Sequence, residues 1–399
     1  MKRLIKATAL IFSIVFMLLL QSACSSENES LLVEDNYLIN MNDEDTVDTY
    51  AIMSESADAE SEPFEDPILE EENGLDDDLR EFISFVRIDF DDIDFASMII
   101  PPDTPHGYIG HWYVRHISTY FPSRVAFTYR ELDIALWLEQ MLYAKGFEES
   151  QVHVQTFSHD DVRIWQNYFR FGIPGLHEVK QQGWHDGHES REYSQNIIVT
   201  IPGRSSQTII VGAHYDSLRY TGTSDNASGV ALLMENAQRM MAKDNYYTLI
   251  YVFFGAHEVG TLGAFYFYHS LSPEERESIV LYINADILIE GPELFVSAGY
   301  DFQLSANPLS EKLLVFVESF GDSHEFIFNT GQMAGGDQFV FLDRGHTTLA
   351  FWGIDGSTFT NFLHSDRDSY EYISNRFPGM IERAMNAFAL LLEAVLLEI

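Results

Sequence analysis

The chain is almost without cysteine: Cys24 is the only one in 399 residues. No internal disulfide can form, so stability must come from packing or from bound metal. Positive charge is scarce as well, with 23 lysines and arginines against 62 aspartates and glutamates and a formal net charge of -39. Such a surface repels polyanions, which excludes nucleic acid and anionic lipid headgroups as partners. There is no internal repeat. What is abundant is apolar material, 46% hydrophobic and 14% aromatic, ample for a large core without disulfide support.

The first residues, MKRLIKATALIFSIVFMLLLQSAC, set Lys2, Arg3 and Lys6 ahead of an unbroken apolar run, then Ser22 and Ala23 ahead of Cys24. This is the pattern of an export signal over residues 1–23. The stretch resembles a bacterial lipobox, with Gln21 where a leucine is usual, and the resemblance implies cleavage before Cys24 and lipidation of its thiol. The expected product is an exported lipoprotein, anchored to the cell membrane through that N-terminal lipid and facing outside the cytoplasm.

Between residues 24 and 95 the composition turns acidic, with about 25 acids against Arg80 and Arg87, more than half of the total charge. A segment so charged repels itself and buries too little apolar surface to order, so it reads as an extended tether. A folded domain is expected over 100–399. Helical spacing of apolar residues between about Arg115 and Ala144 predicts one or two opening helices. Short apolar runs follow: NIIVTIPG, TIIVGAHYD, TLIYVFFGA, VLYINADI, LFVSA and TTLAFWG. Runs that are apolar on both alternating faces are strands buried on both sides, and helical stretches such as ASGVALLMENAQRMMA and the C-terminal MIERAMNAFALLLEAVLLEI lie between them. That alternation predicts an α/β fold with a mostly parallel sheet sandwiched by helices. The polar stretch from His159 to Arg191 reads as an excursion near the mouth of a site.

In such a sheet, ligands gather where strands end, and there the sequence places a series of polar residues. TIIVGA runs into His214 and Asp216, Asp225 precedes a helix, YVFFGA runs into His257 and Glu258, VLYINA runs into Asp286, and His364 follows the last strand. Singly, Asp225 is as well explained as a helix N-cap, His214 as a core histidine, Asp286 as a turn cap and His364 as a solvated side chain. Together they bring imidazoles and carboxylates to one sheet edge. Carboxylates crowded there repel one another unless a divalent cation turns the crowding into attraction. Mixed nitrogen and oxygen donors suit zinc, and a carboxylate set of this size suits two ions.

HYDS with SDNASG, then HEVGTLGA, NADI, GGDQFVFLDRG and LHSDRDS resemble in order and spacing the co-catalytic zinc aminopeptidases of metallopeptidase family 28, from about Arg115 to the C-terminus. The resemblance implies a zinc exopeptidase-like three-layer α/β/α sandwich with a mixed, mostly parallel central sheet. It implies two zinc ions per chain held by His214, Asp225, Glu258, Asp286 and His364, with Asp225 bridging and Asp216 orienting His214 through its other ring nitrogen. Peptides are the implied substrates. Asn226-Ala227-Ser228 matches a glycosylation sequon but falls inside this ligand loop and reads as a false positive.

One departure bears on catalysis. In the family a glutamate stands immediately before the metal-binding glutamate and moves the proton of the attacking water; here that position is His257. Three roles are open to it: a weaker base, a member of the metal shell, or a residue of a site that binds peptides without cutting them. A Tyr that some relatives place ahead of the GGD motif is also missing between Gln332 and Gly336. The function expected is an exopeptidase of the aminopeptidase kind with His257 as its catalytic residue. The alternatives are a silent peptide-binding relative and a glutaminyl-cyclase-like acyltransferase, the last disfavoured by the SDNASG loop. For the N-terminus, Cys24→Ser is expected to move the full-length protein from the detergent-rich to the aqueous phase in a cloud-point partition; unchanged partitioning would count against lipidation.

Overall fold

The computed structural model describes residues 101, 104–163, 190–355 and 362–399. The expected signal segment, Cys24 and the acidic tether lie outside the described residues, as does most of the polar excursion after His159. Among the described residues no helix is long and apolar enough to cross a membrane.

Eight strands form one sheet: β1 (Val152–Ser158), β2 (Tyr193–Ile201), β3 (Thr208–His214), β4 (Thr248–Phe254), β5 (Ile279–Ala285), β6 (Glu293–Gly299), β7 (Phe328–Gly331) and β8 (Thr348–Ile354), in the order β1-β2-β4-β3-β5-β8-β6-β7. The four strands β4, β3, β5 and β8 at its centre run parallel, while β1 with β2, β2 with β4, and β6 with β8 are antiparallel. The sheet is therefore mixed and mostly parallel. All six apolar runs read as strands are strands. β3 and β8 are buried along their whole length, as strands covered on both faces must be.

Helices cover both faces. On one, α4 (Ser228–Met241) lies across β3 and β5, with α1 (Tyr108–Tyr120) and the C-terminal α10 (Met380–Glu398) packed against it. The opening helical region is two helices, α1 and α2 (Tyr129–Ala144), joined through the edge contact of Tyr113 with Trp137. On the other face, α5 (Leu262–Ser270) and α8 (Gln338–Leu342) bury Phe265, Phe267 and Phe341 against Ile198, Ile210, Val252 and Tyr282. The short helices α3 (His159–Arg163), α6 (Pro273–Ser278) and α9 (Tyr370–Arg376) and the 17-residue α7 (Pro308–His324) complete the layers. α7 starts sharply because Asn307 and Ser310 exchange a reciprocal pair of bonds and Pro308 needs no amide partner in the first turn.

The sheet register aims the site. Because β3, β4 and β5 are parallel, their C-terminal ends reach one edge, where His214 pairs with Phe254 and Gly212 pairs with Asn284. His214, the β4–α5 turn and Asp286 therefore emerge side by side. Behind the site edge, Phe388 of α10 stacks on Phe351 of β8, the strand neighbour of Ala285, with ring centroids 5.5 Å apart and both rings fully buried. Phe388→Ala is expected to cost about 3–5 kcal/mol of unfolding free energy, read as a lowered urea midpoint at unchanged slope.

Candidate metal centre

Each site residue stands where its strand or loop delivers it. His214 ends β3, Asp286 follows β5, and His257 and Glu258 follow β4 by three and four residues. Asp225 sits in the kinked turn Thr223–Ala227 that leads into α4, and His364 lies ahead of α9. Backbone strain marks the same places: Ala256 before His257, Ile287 after Asp286 and His364 itself have φ of 52°, 53° and 53°, values non-glycine residues rarely adopt. Such strain persists only where surrounding bonds hold it, and it concentrates at functional sites.

All six expected residues come together as two triads, His214 with His257 and Asp286, and Asp225 with Glu258 and His364, the candidate donor atoms of each triad lying within 4.8 Å of one another. The carboxylate of Asp225 spans them. Its Oδ1 is 3.1 Å from Nε2 of His214, and its Oδ2 is 3.0 Å from Nε2 of His364. His214 Nε2 also faces Asp286 Oδ1 at 3.4 Å, and His364 Nε2 faces Glu258 Oε2 at 3.4 Å.

These donor atoms fit a metal. Nε2 of His214, Oε1 of Glu258 and Oδ1 of Asp286 are buried and form no hydrogen bond among the described residues, although an unpaired buried polar atom is costly. Without cations, protons balance the carboxylates. Burial opposes a charged His364, but Glu258 and Asp225 outweigh it and raise the ring to about 10. Burial likewise opposes ionisation of Asp225, yet His214 and His364 hold it well below the usual carboxylate range. Burial first, and Asp225 second, push Glu258 up to about 7, and burial raises Asp286. A divalent cation in each triad would displace the imidazole protons and take over their balancing role.

Around this set lies a frame of fully buried polar groups. Asp216 was expected to orient His214. Its backbone carbonyl is 3.2 Å from His214 Nδ1 and its carboxylate 3.5 Å, but its stronger bonds are elsewhere: the carboxylate accepts the backbone N–H of His257 and of Glu258, each at 3.0 Å. It thereby ties the loop after β3 to the loop after β4. Asp368 does the same for Asp225, accepting the amides of Ser224 at 2.6 Å and Asp225 at 3.2 Å. Arg124, wholly buried, donates to the carbonyls of Phe121, Tyr215, Thr221 and Gly222, bracing the loops that carry Asp216 and Asp225.

Glu131, three residues past the N-cap Thr128 of α2, accepts from the amides of Phe127 and Ala256 and from Ser194 Oγ, fixing the residue before His257. Burial raises it to about 8, with Asp216 adding to the shift. Finally, Asp337 Oδ1 lies 2.9 Å from His257 Nδ1. Sequence reading missed Arg124, Glu131, Asp337 and Asp368 as site residues, though the last two lie inside the quoted GGDQFVFLDRG and LHSDRDS stretches. The sequon reading is consistent with the structure: Asn226 is fully buried, donating to Ala285 O and accepting from Gly229 N.

Residues 196–389, which contain all six site residues with Asp216, Asp337 and Asp368, match peptidase family M28. An alkaline phosphatase isozyme conversion protein of Escherichia coli (strain K12) is 25% identical over 223 residues, covering 52% of this chain and 59% of that protein. An aminopeptidase of Pseudomonas aeruginosa (strain UCBPP-PA14) is 30% identical over 130 residues, covering 31% of this chain and 24% of the relative. The chain thus spans less than two thirds of the length of either. Among solved structures, BSAP, a zinc aminopeptidase from Bacillus subtilis, shares the fold with a TM-score of 0.58 at 16% identity, over 75% of this chain and 97% of that one. The chain resembles the M28 peptidases in sequence and the zinc exopeptidases in fold.

If Asp216 holds the two ligand loops in register, Asp216→Asn should weaken zinc binding roughly 10- to 100-fold at unchanged far-ultraviolet dichroism. Competition against a chromophoric chelator measures this; unchanged affinity would show that the loops stand without it.

Proposed function

We propose that this protein is an exported, lipid-anchored zinc aminopeptidase that removes N-terminal residues from peptides. One observation carries the reading: the two oxygens of Asp225 each face the imidazole of a different triad, and each imidazole faces a second carboxylate. This is the donor arrangement for two cations sharing one carboxylate. His214 and Asp286 would hold one ion, Glu258 and His364 the other, and Asp225 both. When bound, zinc supplies Lewis acidity, acidifying water and polarising a peptide carbonyl.

The chain's own residues do the rest. The carboxylates of Asp225, Glu258 and Asp286 neutralise the positive charge in the site. His257 takes a proton from the attacking water on its free ring nitrogen and gives it to the leaving amine as the C–N bond breaks, so one water is consumed and a carboxylate and an amine are formed. An imidazolium beside cations is disfavoured relative to a protonated carboxylate, so turnover is expected to be slow. That same residue favours a second reading, peptide capture without cleavage.

Metal analysis of purified protein and hydrolysis of aminoacyl-anilides test the proposal together. The expected result is two zinc ions per chain, with hydrolysis abolished by chelator and restored by zinc. Bound zinc without turnover would favour peptide capture, release of ammonia with ring closure from N-terminal glutamine peptides would favour the acyltransferase, and absence of bound metal would overturn the site.

A further inference from the structure

His257 is fastened on its edge and on its face. Its Nδ1 lies 2.9 Å from Oδ1 of Asp337, a residue 1% exposed, and its ring stacks on His214 with centroids 3.7 Å apart and planes 8° from parallel. An imidazole lone pair lies in the ring plane, and two nearly parallel planes meet only far from either ring. His257 and His214 therefore cannot both aim at one ion in this geometry, although the distances alone would group them. Of the three roles open to His257, sharing an ion with His214 is the one that stacking removes.

The loop before α8 is shaped to this ring. Gly336, at φ 60°, leaves room that a Cβ would fill, coming within 3.1 Å of His257 Cε1 and 2.7 Å of Asp286 Oδ2. A carboxylate can only accept from the ring, so the bond to Asp337 places a proton on Nδ1. Nε2, the ring nitrogen that Asp337 does not engage, is left to carry the lone pair.

We propose that Asp337 is the positioning residue of His257, accepting Nδ1–H so that Nε2 keeps its lone pair for the attacking water. Its catalytic consequence rests on the hydrolase reading, but the tautomer itself does not. Asp337→Asn can turn its amide to donate to Nδ1, which would move the ring proton to Nε2.

The test uses zinc-loaded protein labelled with ¹⁵N-histidine. The expected spectrum has an Nδ1–H ring signal that disappears in His257→Gln and is replaced by an Nε2–H signal in Asp337→Asn. Asp337→Asn should lower kcat roughly 100-fold with KM within about threefold, and should cause no further loss in the His257→Gln background. Asp337→Glu, keeping the acceptor, should recover part of the rate. An Nε2–H ring in the wild type, or an equal loss of kcat with and without His257, overturns the proposal. An Nδ1–H ring in a protein without turnover upholds the positioning of His257 and sinks the hydrolase reading instead.

Discussion

Everything at this sheet edge depends on burying many carboxylates in one place. Asp216, Asp225, Asp286, Asp337 and Asp368 are each at most 5% exposed, with the partly buried Glu258 beside them. Removing that much negative charge from water is prohibitive unless each group is answered by donors or by opposite charge. The chain answers them unequally. Asp216 and Asp368 each receive two backbone amides, and Asp337 receives an imidazole. Left without a hydrogen bond are His214 Nε2 and Asp286 Oδ1, 3.4 Å apart in one triad, and Glu258 Oε1 in the other. Each of these three atoms belongs to a residue of one of the two triads, where a cation would sit.

The same bonds explain why the loops hold a strained shape. Asp216 links the end of β3 to the turn carrying His257 and Glu258, Asp368 links the loop after His364 to the turn carrying Asp225, and Glu131 reaches from α2 to Ala256. Arg124 closes the frame from outside, spending its guanidinium on four carbonyls rather than on any one acid. A donor set fixed this way loses little freedom when it takes up a ligand, which is what preorganisation requires. The left-handed backbone at Ala256 is tolerable because Glu131 accepts its amide and Asp216 accepts the next two.

How much of this could be read from the sequence follows from what each signal reports. Continuous apolar runs report burial on both faces, so β2 to β6 and β8 were legible. β1, with the mixed sequence VHVQTFS, and the four-residue β7 sit at the two edges of the sheet, where one-sided or brief burial leaves a weaker pattern. Apolarity carries no direction, so the antiparallel pairings of β2 with β4 and β6 with β8 were not in the strand residues themselves. The donor set was legible because His214, Asp225, Glu258 and Asp286 lie at or within four residues of a strand end or a helix start, and His364 lies in the LHSDRDS stretch. Arg124, Glu131, Asp337 and Asp368 act through atoms contributed by distant segments. Glu131 even wears a local disguise: a Thr with Glu three residues later is an ordinary helix start, and only the folded chain shows its carboxylate turned toward Ala256.

His257 is where these levels meet. Read alone, it is an imidazole where the resemblance to family 28 implies a carboxylate. In the folded chain it is one member of a set: Asp337 receives its Nδ1, Gly336 clears its edge, and His214 carries its face. A glutamate there would bring a second carboxylate against Asp337, so that the two would repel or have to share a proton, and it would give up the stacking on His214. Imidazole and Asp337 are therefore matched to each other, and the surroundings of residue 257 suit the histidine that is present.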